Sequence, residues 1–240
     1  MNLAMLRDHD SVKKEKIEKM GGFLTVNAID FIDKAIREFQ CRNIKYSTIN
    51  FFSGIELFLK ARLFADHWFL VVENVDKASL QSLQNGETTT VTFKGSTNRL
   101  SNILGKGMED EIAIFDALRR ERNKMVHFYH ITNDSAKTKK KEQYIVSLQC
   151  RAWYHLHELL SKKWKPHFEG IVEDIEKLNL IMQDHSRYLN EKFNLLKQFI
   201  TNEKNQGIVY SHCPVCQFDS LKGLGIIGNN GQGDLDTLKV

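Results

Sequence analysis

Proline is almost missing from this chain: Pro166 and Pro214 are the only two in 240 residues. With only fourteen glycines beside them, the sequence has too little punctuation for a strand-rich fold, which needs a turn about every ten residues. Cysteine is scarce as well. Cys41, Cys150, Cys213 and Cys216 are too few and too unevenly spaced to staple a chain of this length, which points to a reducing, cytoplasmic setting. No run of about 18 apolar residues occurs, and the opening stretch MNLAMLRDHDSVKKEKIEK is charged where a secretory signal needs apolar residues. Neither membrane insertion nor secretion is expected. The net charge of +4 is too small for its total to demand a polyanionic partner.

What is present is helical periodicity. Apolar residues recur at spacings of three and four over residues 24–39 (Ala28, Ile32, Ala35, Phe39) and 48–65 (Phe52, Ile55, Leu59, Leu63), with Gly54 allowing another backbone to come close. A third helix is predicted from Glu109, carrying Ile112, Phe115, Leu118 and Met125 toward a His-Phe-Tyr-His run, followed by a polar loop over 132–141. A fourth covers about 144–164 and stops at Pro166. Between the second and third, Asn85-Gly86 is a hairpin-type turn signal and residues 88–93 are rich in β-branched side chains, so a small β-hairpin insertion is predicted over about 66–107. From Phe168 to Ile200 the three-four alternation continues with little interruption, which predicts a long C-terminal helix over 166–205, either wrapping its own bundle or zipping to a second copy. Residues 206–240 hold six of the fourteen glycines and read as a weakly structured tail or a small module. The expected architecture is mainly α: an antiparallel helical bundle over residues 1–165 with the hairpin inserted, then the helical arm, then the tail.

Basic residues cluster in three places: Arg119, Arg120, Arg122 and Lys124; Lys137, Lys139, Lys140 and Lys141; and Lys162, Lys163 and Lys165. Any one cluster fits a solvated helix end, but three within fifty residues favour an anionic partner. The densest set is Arg122-Asn123-Lys124-Met125-Val126-His127-Phe128-Tyr129. A guanidinium can hold a phosphate bidentately and stabilise charge developing there. An imidazole serves as acid or base near neutral pH, and Asn123 could orient it or donate to a phosphate oxygen. Positions five apart on a regular helix lie about 140° from one another. Either the helix distorts, therefore, or the pair works beside a second copy.

Cys213-Pro214-Val215-Cys216 is a second signal, because C-P-x-C is the usual first half of a zinc knuckle. A closed structural zinc site takes four ligands, and no second pair follows. Either the second knuckle lies outside this chain, or His212 or another chain completes the site, or the two cysteines are unrelated to metal. The glycine-rich 223–233 stretch favours the first.

The order of Gly54-Ile55-Glu56-Leu57-Phe58-Leu59-Lys60-Ala61, the hairpin-like Thr90-Val91-Thr92-Phe93 and Arg122-Asn123-x-x-x-His127 resembles the HEPN superfamily over roughly residues 23–165. In that family an Arg-x4-6-His motif, most often with Asn after the Arg, sits late in an antiparallel helix pair. The resemblance implies a metal-independent endoribonuclease in which the motifs of a homodimer converge across a cleft, with no cofactor for catalysis and RNA as partner. It further implies a toxin or antiviral (phage-defence) effector. Catalysis would then rest on Arg122, His127 and Asn123, with Arg119, Arg120 and Lys124 contacting substrate. Tyr129 completes the Arg-x4-His-x-Tyr form of one toxin–antitoxin group, whose nucleotidyltransferase partner silences the toxin by adding AMP to that tyrosine. Glu56 would line the cleft or pair with Arg122; the plainer account is a helix pair with Lys60 four residues on. A helical bundle of the same type that binds RNA or protein without cleaving is the alternative.

Overall fold

The computed structural model describes residues 3–127, 135–214 and 216–223, and it is mainly helical with one small two-stranded antiparallel hairpin. The chain divides between Ile181 and Met182 into two compact units.

In the first unit, α1 (Leu3–Gln40) and α2 (Ile44–Asp66) form an antiparallel pair. Its register is fixed by three close approaches: Gly21 to Phe64, Gly54 to Ile32 and Ser47 to Ala35. At Gly54 a Cβ would lie 2.6 Å from Ile32 Cδ1 and 3.2 Å from the Ala28 carbonyl oxygen, so glycine is required for the two backbones to pack this closely. The reversal uses Arg42 in the left-handed region (φ 60°), with Asn43 N–H donating to Glu38 O and Arg42 N–H to Phe39 O. This pair of bonds satisfies two of the carbonyls that a helix end leaves open. Helix α1 starts some twenty residues before the predicted 24, because the charged stretch preceding it is rich in good helix formers whose polarity hides any apolar stripe.

Four predicted elements differ in the structure. The segment 66–107 is not a hairpin: it holds short 3₁₀ turns, α3 (Leu80–Gln84) and α4 (Phe93–Leu104), with a single isolated bridge, Val72 to Thr90. Asn85 caps the end of α3 and Gly86 (φ 72°) turns the chain away, while Thr92 Oγ1 accepts from Gly95 N–H to start α4. The turn and β-branched signals were those of helix caps, which draw on the same residue types. Helix α5 (Glu109–His127) follows, and α6 (Ser135–Glu158) begins inside the supposed polar loop, its lysine run being helical. The predicted long helix over 166–205 is broken. A π-helical turn at Leu159–Lys163 and 3₁₀ turns at Lys165–His167 and Glu169–Ile171 precede α7 (Val172–Gln183), and His185, in extended conformation, separates it from α8 (Ser186–Asn205). The fourth difference is the hairpin itself, which lies in the tail: β1 (Tyr210–Ser211) pairs with β2 (Leu221–Lys222).

Helix α2 is the centre of the first unit, packed by α1, α4, α5 and α6. Phe52, Ile55, Phe58, Leu59 and Leu63 from α2 are buried, as are Phe115 and Leu118 from α5 and Leu148, Trp153 and Leu156 from α6. A buried polar relay crosses the unit: Gln149 Nε2 donates to Ser47 Oγ (2.8 Å), which donates to Ala35 O (2.8 Å). In the second unit Phe193 of α8 stacks on Phe218 (4.4 Å, 7°), and Glu203 accepts from Tyr210 Oη and from Lys222 Nζ (2.8 Å), tying the hairpin to the helix. Burial and the Glu203 bond push the Tyr210 hydroxyl up to about 12.

Candidate active site

Phe52 and Glu56 lie four residues apart on α2 and so share a face of that helix. Arg122 reaches this face from α5. Its guanidinium sits 4.6 Å from the centre of the Phe52 ring, and Nη2 donates to Glu56 Oε2 at 3.1 Å. The Arg122 and Glu56 side chains are 25% and 23% exposed, so the pair is lodged in a half-buried recess with one edge open to solvent. Arg122 Nε is buried with no hydrogen-bond partner. Of the two fates read for Glu56, pairing with Arg122 is the one found; Lys60 instead donates to Thr90 Oγ1 (3.1 Å).

Each neighbouring carboxylate holds two cations. Asp116 accepts from Arg119 Nε (2.8 Å) and Arg120 Nη1 (2.7 Å). Buried Glu121 accepts from Lys124 Nζ (3.0 Å) and faces Lys141 Nζ of α6 (2.6 Å), which joins the first basic cluster to the second. Burial opposes ionisation of Glu121, but the hydrogen bonds and charges of Lys141 and Lys124 outweigh it and hold the carboxyl below the usual glutamate value. Arg120 and Lys124 remain mostly exposed, Arg119 and Asn123 half-buried.

His127 is exposed in the last turn of α5. Because α5 is α-helical throughout Glu109–His127, no local distortion brings it round to Arg122. Within one copy the two are about 7.5 Å apart along the axis and about 140° around it. Tyr129, with Phe128 and His130, lies outside the described residues. The sequence reading missed Phe52, taken as core alone, as the platform under the guanidinium; its place four residues before Glu56 was the available signal.

Cys213 and Cys216 belong to the second unit, in the loop between β1 and β2. Among the described residues, no three of His, Cys, Asp or Glu come together as a metal site, and no helix is long and apolar enough to cross a membrane. No family model matches this chain, nor does any curated protein or solved structure.

Proposed function

We propose that this chain is a metal-independent endoribonuclease of the HEPN type, acting in the cytoplasm as a homodimer whose two motifs converge on one RNA phosphate. The observation that carries this reading is the seating of Arg122. An arginine held on an aromatic face and aligned by one carboxylate through Nη2, with Nε buried, is fixed in place and keeps Nη1 for a phosphate oxygen, a one-point contact until Glu56 is exchanged for the phosphate. The exposed imidazole lies on a different side of the same helix, so a second copy is required to bring a His127 to the phosphate.

The chemistry follows from these groups. The 2′-hydroxyl beside the scissile phosphate attacks phosphorus and the P–O5′ bond breaks, leaving a 2′,3′-cyclic phosphate and a 5′-hydroxyl. One His127 takes the hydroxyl proton and the other delivers a proton to the leaving oxygen, so two copies fill both roles. Arg122 donates to the non-bridging oxygens as charge builds, with Asn123 in support. Arg119, Arg120 and Lys124 extend contacts along the backbone by exchanging Asp116 and Glu121 for RNA phosphates. Tyr129 is the position at which a nucleotidyltransferase antitoxin would silence such a toxin or phage-defence effector.

One observation favours the alternative of a non-cleaving binding module: Glu56 already neutralises Arg122, as in a structural ion pair between helices. Total RNA incubated with the purified chain in excess EDTA separates the two. Cleavage should fall about 10²–10⁴-fold in His127→Ala and about 10²–10³-fold in Arg122→Ala, with helical circular dichroism unchanged. RNA binding without cleavage by the wild type would establish the module.

A further inference from the structure

Lysine crowds the first two turns of α6, at positions 137, 139, 140 and 141. Tyr144 stands one turn further on and is 45% exposed, while Ile145 and Leu148 beside it are buried. At about 100° per residue, Lys140, Lys141 and Tyr144 share one side of the helix, whereas Glu142 is turned about 160° from Tyr144. Lys141 Nζ lies 5.0 Å from the centre of the Tyr144 ring and 2.6 Å from Glu121 Oε2. Buried Glu121 also accepts from Lys124 Nζ, so two ammonium groups share one carboxylate and the surface above it keeps a positive charge.

This surface adjoins the candidate site. Lys163, just beyond α6, reaches Glu111 near the start of α5, while Lys141 reaches Glu121 near its end, so the two helices run antiparallel. Tyr144 therefore lies about 13 Å along the shared axis from the level of His127, a span of a few nucleotides. Every nucleobase has a π-face that stacks on an exposed aromatic ring, and the flanking phosphates need cations within reach. Lys141 has three N–H donors and keeps half its side chain in solvent, enough to hold Glu121 and still meet a phosphate. Bases paired inside an A-form helix present edges rather than free faces. The combination of ring and lysines thus fits an unpaired strand and not a duplex.

We propose that Tyr144, with Lys140 and Lys141, is a stacking platform for one unpaired base of an RNA strand whose neighbouring phosphates pair with the two lysines. The proposal rests on the reading of RNA as the substrate, and it makes single-stranded RNA the class that the site takes. Binding there makes and breaks no covalent bond.

The test is fluorescence anisotropy on the full 240-residue chain with a short single-stranded 2′-O-methyl oligoribonucleotide, which lacks the attacking hydroxyl and so reports binding whether or not the chain cleaves. Tyr144→Ala should weaken this binding on the order of tenfold, Tyr144→Phe should bind as the wild type does, and the duplex of the same sequence should bind wild type and Tyr144→Ala alike. Lys140→Ala should reduce the slope of log affinity against log salt by about 0.7. An oligonucleotide with abasic sites should bind the wild type no tighter than the intact one binds Tyr144→Ala, a measurement that needs no variant to fold. Undiminished binding by Tyr144→Ala, an abasic strand bound as tightly as the intact one, or no binding of the single strand by the wild type would each overturn the proposal. Binding that depends on Tyr144 in a chain that cuts no RNA would sustain the platform and refute the ribonuclease reading; cleavage in EDTA with affinity untouched in Tyr144→Ala would do the reverse.

Discussion

The recess around Arg122 and the loop around Cys213 place reactive side chains by opposite means. Arg122 is positioned by two long helices whose buried faces fix the distance between Phe52, Glu56 and the guanidinium. Many side chains share that task, so the recess resists loss of any single polar contact. The cysteine loop is positioned by a handful of backbone bonds and one aromatic stack, Phe193 on Phe218. A short hairpin buries too little apolar surface to be independently stable. A functional group on a packed helix pair inherits rigidity from the core, whereas one on a small loop depends on a few local bonds.

If that contrast is right, core truncation should reach Arg122 and spare the loop's own bonds. Trp153 is buried and its Nε1 donates to Asn179 Oδ1 (3.3 Å). Trp153→Ala should cost about 3–5 kcal/mol, measured by urea unfolding of the helical signal. A loss under 1 kcal/mol would show that the first unit is loosely packed. Ser47→Ala removes the middle of the relay from Gln149 to Ala35 and strands a buried amide, for about 1–3 kcal/mol. Restoring stability with Gln149→Leu in the same background would confirm that the loss came from the stranded amide.

Phe218→Ala acts on the second unit instead. Losing the stack should cost about 0.5–1.5 kcal/mol, confined to faster amide exchange in the hairpin, with the unfolding midpoint of the first unit unmoved. A smaller effect comes from His155, half-buried beside Glu111 and Lys163. Burial, with Lys163 and Arg151 adding to it, holds its imidazole below the ordinary value despite Glu111 and Asp110. A lowered folded-state value means the neutral form is favoured in the fold. The stability it contributes is present above about pH 6.5 and is lost as pH falls through the folded value. His155→Gln should flatten the fall in urea midpoint below that pH; an unchanged slope would assign the acid sensitivity elsewhere.

The helical class was legible because scarce proline and a three-four apolar period are both local signals, and α2 and α5 lie close to where that period puts them. The hairpin was misplaced because Asn-Gly and Thr-Val-Thr serve helix caps as readily as turns and strands, and only tertiary packing decides between them. The arm was drawn as one helix because period alone does not register the change of backbone at His185. Arg122 and His127 are five residues apart in sequence and could be named together. Glu56, the partner of Arg122, is 66 residues away from it, and whether Glu56 pairs with Arg122 or Lys60 depended on how α2 and α5 pack. Phe52 was legible only as core, since an aromatic that supports a guanidinium and one that fills a core have the same spacing.

Cleavage by Arg122 and His127 as proposed uses the substrate's own 2′-hydroxyl, and the ends of the products report it. The chain should be incubated in excess EDTA with an end-labelled RNA, and in parallel with the same RNA carrying a single 2′-deoxy substitution at the mapped cleavage position. Fragments ending in 2′,3′-cyclic phosphate, and an uncut bond at the substituted position, are the predicted result. Cleavage of the 2′-deoxy position, or fragments ending in a 3′-hydroxyl, would contradict it.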